Sequence, residues 1–125
     1  MVRPSPYQDN EDVQPNDTTA VLDRGQLRDI TMNDEALMRE IIGVLVDDTS
    51  RQIQLLDQAI REEDAQRCMR LAHYSKGACA NIGANRAATL LKEMERQAAA
   101  HSFDACAESL RTLTVEIERL RSEAF

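Results

Sequence analysis

The chain has 125 residues, and its 22 Asp and Glu outnumber its 15 Lys and Arg for a net charge of -7, a length that fits one domain with a modest core. The surplus of carboxylates disfavours nucleic acid or an anionic membrane as principal partner, because both reward clustered cations. Aromatic side chains make up 3% of the chain and tryptophan is absent, so no large aromatic-lined pocket is expected. No apolar run approaches the roughly 20 residues that span a bilayer, and the N-terminus lacks the apolar stretch of a signal peptide. The expectation is a cytoplasmic protein.

All three prolines, Pro4, Pro6 and Pro15, fall in the polar, aperiodic opening MVRPSPYQDNEDVQPNDTTA. Such a segment cannot bury enough apolar surface to offset its ordering entropy, so residues 1–20 read as a flexible tail or linker and residues 21–125 as the folded domain. Leu, Ala, Glu and Arg dominate the rest of the chain, as in helical proteins. A short helix is expected from near Asp23. Thr31 to Asn33 then offer capping oxygens ahead of Asp34 and Glu35, whose charges suit a helix N-terminus.

The long helix beginning there should run to about Arg61. Its apolar stripe is Leu37, Ile41, Leu45, Ile53, Leu56 and Ile60, with Asp48 and Thr49 interrupting it. Asp64 can cap the next helix, which carries Cys68, Ala72, Cys79 and Ile82 and ends near Gly83, a plausible C-cap. Asn85 opens a fourth helix with Ala87, Leu91, Met94 and Ala98 on one face. Ser102 is expected to cap a fifth with Cys106, Leu110, Leu113, Ile117 and Leu120. Long amphipathic helices joined by short links are most economically an all-α, up-and-down antiparallel four-helix bundle with a short additional N-terminal helix.

The three cysteines, Cys68, Cys79 and Cys106, show no CxxC spacing and sit on apolar faces. They read as buried, reduced thiols rather than as a disulfide framework or metal ligands.

Most of the chemical information lies in LAHYSKGACANIG, residues 71–83. At about 100° per residue, Ala72, Ser75 and Cys79 share the buried side, whereas His73 turns to solvent and Gly77 lies nearly opposite the core. The positions three and four away from His73 are Met69, Arg70, Lys76 and Gly77. An exposed neutral imidazole is nucleophilic near neutral pH, and neighbouring cations attract a transferred phosphoryl group. Gly77 costs about 1 kcal/mol of helix stability relative to alanine, which is understandable if a partner must come close.

The AHxxKG element at Ala72–Gly77, with Gly83 and Ala84 after it, resembles the signature of histidine-containing phosphotransfer (HPt) domains. The resemblance extends over about residues 21–121, through Leu22–Asp23, the DDT at Asp47–Thr49, Asp64 and LLKEMERQA. It implies that His73 accepts the phosphoryl group, Lys76 stabilises its charge, Gly77 admits the partner, and Gly83 keeps a structural role at the helix end. Response-regulator receiver domains, and a hybrid sensor histidine kinase, are the partners implied. A receiver would supply the phospho-aspartate and the divalent metal. No cofactor or metal of the chain's own is expected, nor ATP-dependent kinase activity, since no GxxxxGK[ST] loop is present. The chain is expected to act as a monomeric carrier.

The docking patch is expected to include Met69, Arg70, Gly77 and Ala80, with Arg70 supported only by its helical position. Tyr74-Ser75 and Ala78-Cys79 depart mildly from the family pattern, affecting packing and partner preference more than chemistry. His101 is explained by its place at a helix C-terminus, and Asn81 reads equally as a surface contact or as a plain polar residue. Two rival readings are a helical adaptor that binds receivers or other signalling proteins without phosphorylation, and an oligomeric coiled-coil scaffold. Retention of His73, Lys76 and Gly77 together disfavours the first, and the interrupting caps disfavour the second.

Overall fold

A computed structural model describes residues 22–124; the expected tail over 1–20 lies outside them. The described residues form five helices and no strand: α1 (Arg24–Thr31), α2 (Glu35–Arg61), α3 (Ala65–Ile82), α4 (Asn85–Ala99) and α5 (Phe103–Ala124). Each of the four longer helices packs against two others, in the cyclic order α2, α3, α4, α5, and α1 lies on α2 and α3. No helix among the described residues is long and apolar enough to cross a membrane.

Caps set the helix boundaries. Asp23, Asp34 and Asp64 each accept a hydrogen bond from the backbone N–H three residues on, at 3.0–3.1 Å, satisfying donors that the first helical turn leaves unpaired. The cap of α2 is therefore Asp34, not the Thr31–Asn33 stretch. Thr31 is instead the buried last residue of α1, its hydroxyl donating to Leu27 O at 2.7 Å. Met32 and Asn33 turn the chain in the left-handed region.

The apolar stripes of α4 and α5 are buried as the periodicity predicts. α2 differs. Its buried residues are Ile42, Leu45, Val46, Thr49, Leu56, Ala59 and Ile60, while Ile41 and Ile53 are half-buried and Leu37 is exposed. A helix wedged between α3 and α5 buries a broader face than a single stripe, so Thr49 is drawn inside instead of interrupting it. In α3 the buried set is Cys68, Ala72, Ser75 and Cys79, which leaves Ile82 half-buried at the end.

The three cysteines are buried free thiols. Burial pushes Cys68 and Cys79 up to about 11 and raises Cys106 as well, so all three stay protonated and unreactive near neutral pH.

Gly83 ends α3 at φ +93°, where a glycine avoids the steric cost of a side chain. Its carbonyl accepts Asp23 N–H at 2.7 Å, and a Cβ here would stand 2.9 Å from Asp23 O. Gln26 Nε2 donates to Ala80 O at 2.7 Å and to Asn81 O at 3.2 Å. α1 therefore caps the terminal carbonyls of α3 and fixes the end of the helix that carries His73.

Candidate functional site

His73 sits midway along α3, on the side away from Ala72 and Ser75, with 69% of its side chain exposed. Its Nδ1 lies 3.0 Å from Glu95 Oε2 on α4. Lys76, one turn further along α3, donates from Nζ to the other oxygen of the same carboxylate at 2.8 Å. Glu95 thus bridges the imidazole and the ammonium, and its side chain is only 26% exposed.

Burial alone would raise the Glu95 carboxyl, but hydrogen bonds from Lys76 and His73, with their charges, outweigh it and hold the group below its ordinary value. Glu95 is accordingly ionised near neutral pH. An ionised carboxylate can only accept, so Nδ1 carries the proton and donates it. In the neutral ring this leaves the lone pair on Nε2, pointing away from Glu95. Lys76 keeps two further N–H donors beyond the one that orients Glu95.

The remaining sequence-chosen residues divide. Arg70 is exposed one turn before His73. Gly77 is exposed, and a Cβ placed on it would meet nothing within 4 Å, so the space beside the ring is open. Met69 is half-buried and packs against the core. Ala80 is exposed but lies two turns along α3, beneath Gln26. His101 occupies the α4–α5 turn at φ +57° with its ring 5.7 Å from Phe103, remote from His73 along the chain. Among the described residues no cluster of His, Cys, Asp or Glu could hold a metal ion.

Sequence reasoning missed Glu95. It surrounded the ring with cations, whereas the structure sets a carboxylate on Nδ1. Adjacent to the buried Met94, it passed as an ordinary residue of an amphipathic helix. The signal was nonetheless present, since His73 and Glu95 each lie eleven positions from Ala84 in the α3–α4 link. A chain that folds back there brings the two level.

The model of the Hpt domain matches residues 40–123, which span the His73, Lys76 and Glu95 cluster. The chain belongs to the Hpt domain family. Hpt domains are phosphocarriers, and the role of this one is histidine phosphotransfer in a phosphorelay. No curated protein matches the sequence significantly.

Two solved structures share the fold. Histidine-containing phosphotransfer protein B (HptB) from Pseudomonas aeruginosa PAO1 superposes with a TM-score of 0.77 at 23% identity, over 86% of this Hpt chain and 93% of that one. A rice protein assigned as a histidine-containing phosphotransfer protein gives 0.74 at 18% identity, over 83% and 76%. At such identities the likeness speaks for the helical architecture alone.

Proposed function

We propose that His73 is the phosphoryl acceptor of this Hpt domain, taking the group from the aspartyl phosphate of one receiver domain and passing it to the aspartate of another. The observation that carries this reading is the Glu95–His73 hydrogen bond on an exposed ring, which directs the Nε2 lone pair outward. In the forward step Nε2 attacks phosphorus, the P–N bond forms and the P–O bond to the aspartyl carboxyl breaks. The leaving electron pair stays on that carboxylate. No proton needs to move, because Nδ1 keeps its own.

The phosphorylated ring then carries positive charge while Nδ1 stays protonated, and the carboxylate of Glu95 offsets it. Lys76 directs its free donors towards the phosphoryl oxygens, and Gly77 leaves room for the receiver's backbone. The divalent metal belongs to the receiver, so the domain contributes one positioned nucleophile. It acts as a carrier without ATP-dependent kinase activity.

The scaffold we infer for this task is an up-and-down antiparallel four-helix bundle of α2 to α5, with α1 as the additional N-terminal helix. The domain works as a cytoplasmic monomer that meets receivers, including that of a hybrid sensor kinase, through a small transient contact around Arg70, Gly77 and the rim of His73. Ala80 and the exposed edge of Met69 lie on the same helix and extend it.

Incubation with a receiver domain carrying labelled aspartyl phosphate tests the assignment. The wild type takes label at His73 and the His73→Gln variant takes none. Equal labelling of the variant sinks it, and receiver binding that survives His73→Ala without transfer to the wild type favours the adaptor reading.

A further inference from the structure

The residue after His73 is a tyrosine, and the chemistry of phosphotransfer gives it nothing to do. Tyr74 is 54% exposed, yet its hydroxyl is not left to water. It donates to Asp48 Oδ2 on α2 at 3.0 Å, while Arg51 Nη2 holds Asp48 Oδ1 at 3.4 Å. Both oxygens of Asp48 are used, so the carboxylate is fixed from two sides and fixes the ring in turn. The hydrogen bond and charge of Asp48 push the phenol above its ordinary value, keeping it a neutral donor.

Tyr74 and Asp48 also line a groove of about 490 Å³ between α2 and α3. Ile41, Val44, Ala78 and Ile82 are among its other walls, and Val44 is 64% exposed. The groove is lined from the Leu37 and Ile82 region to Tyr74, the residue next to His73 in α3, although His73 itself turns to the other side of the helix, towards Glu95. A receiver body docked over His73 has this end of the groove within one residue of the acceptor. The exposed walls are mostly apolar, with Asp48 paired to Arg51 and Glu40 as the further charge on the lining, so the occupant that fits is an apolar segment of the same receiver.

We propose that Tyr74, tethered by Asp48, is a specificity-determining residue of this phosphotransfer domain. Its ring shapes the His73 end of the groove and selects receiver domains whose apolar side chains seat there while their aspartyl phosphate faces His73. The proposal rests on the reading of His73 as acceptor. It assigns partner choice to Tyr74 and leaves the chemistry with His73, Glu95 and Lys76, because the phenol hydroxyl is committed to Asp48 on the α2 side and makes no contact with the imidazole.

The test compares the wild type with Tyr74→Ala, Tyr74→Phe and Asp48→Asn in transfer from each phosphorylated receiver of the source organism, expressed singly. Direct labelling by phosphoramidate, a small donor that needs no docking, runs in parallel. Tyr74→Ala is expected to lower kcat/KM for the best receiver about tenfold, as truncating a tyrosine anchor does at an interface, with the loss in KM. Tyr74→Phe releases the tether and Asp48→Asn weakens it by removing the acceptor's charge, both keeping the ring, and they should shift the ratio of kcat/KM between the two best receivers, Tyr74→Phe by at least about threefold, since a difference of about 0.6 kcal/mol suffices. Phosphoramidate labelling should stay within about twofold throughout, a spread of about 0.4 kcal/mol.

Unchanged receiver kinetics and ratios in all three variants overturn the proposal. So does a parallel fall in phosphoramidate labelling, which would place Tyr74 in the chemistry. A wild type that takes no label from any receiver overturns the acceptor reading and this proposal with it, whereas a labelled wild type with unaffected variants overturns this proposal alone.

Discussion

Glu95 Oε2 lies 3.0 Å from His73 Nδ1 while Oε1 of the same carboxylate lies 2.8 Å from Lys76 Nζ, so one side chain of α4 sets both the tautomer of the ring and the position of the ammonium. Replacing it by a neutral isostere keeps the shape and removes the obligation to accept. In Glu95→Gln the Nδ1–H form should lose its dominance in the nitrogen NMR spectrum. Phosphoryl acceptance from a receiver should fall about fivefold, the equivalent of about 1 kcal/mol. A spectrum and a rate equal to wild type would show that Glu95 has no hold on the ring.

The same carboxylate carries a pH signature. Its pKa in the folded protein is lowered from 4.5, so the ionised form is favoured by folding, and the stability this contributes is present above the unfolded value. It is lost as pH falls through the lower folded value. The stability difference between wild type and Glu95→Gln, from urea titrations, should shrink as pH falls below about 5. A difference that stayed constant or grew below that pH would contradict the assignment of the shift.

The extent to which this site is legible in the sequence depends on the way information is stored along a helix. Position on one helix is periodic, so the exposure of His73, the burial of Ser75 and the open flank at Gly77 can all be read from spacing. Contacts between helices depend on where the chain turns. His73 and Glu95 are equidistant from Ala84, and Asp48 and Tyr74 from Arg61, a relation that only acts once each link is known to fold the chain back. Thr49 escapes the periodic reading for a related reason. Its burial depends on α2 having neighbours on two sides, which the period of a single stripe does not encode. Asp34 displaces Thr31–Asn33 as a cap because Thr31 is needed inside, a tertiary demand overriding local preference.

The two glycines of the histidine helix predict opposite outcomes for one substitution. A Cβ on Gly77 meets nothing within 4 Å, so Gly77→Ala should stabilise the fold by about 1 kcal/mol and raise the melting temperature by roughly 4 °C or more. Transfer from a receiver should nonetheless slow, since the methyl group enters the space beside the acceptor. Gly83→Ala, at φ +93° and with its Cβ 2.9 Å from Asp23 O, should destabilise by about 2 kcal/mol or more. Thermal unfolding and transfer assays on both variants check this. A Gly77→Ala protein as fast as wild type would remove the functional reason for the glycine.

Ser75 Oγ is buried without a hydrogen-bond partner among the described residues, a cost that alanine would not carry. Ser75→Ala removes the stranded hydroxyl and improves helix propensity, so a gain of about 1 kcal/mol is expected. Denaturant unfolding measures it directly. A loss of stability instead would mean that the hydroxyl contributes more by packing than it costs by desolvation.

Glu116 tests how firmly α4 and α5 are joined. Its side chain is 4% exposed and accepts from Arg86 Nε at 3.1 Å and Nη2 at 3.2 Å, with Arg119 at 3.4 Å completing the set. A carboxylate so far from water is tolerated only while its cations remain, and Arg119 is more exposed and bound through a single longer contact. Arg86→Met should therefore destabilise by about 3 kcal/mol, the usual consequence of stranding a buried charge. The double variant Arg86→Met with Glu116→Leu removes the charge together with its partner and should recover most of that loss, because a well-packed apolar pair is often as stable as the ion pair it replaces. Urea unfolding of the three proteins decides between the possibilities. A double variant no more stable than Arg86→Met alone would show that the guanidinium stabilises the fold by something other than compensating Glu116.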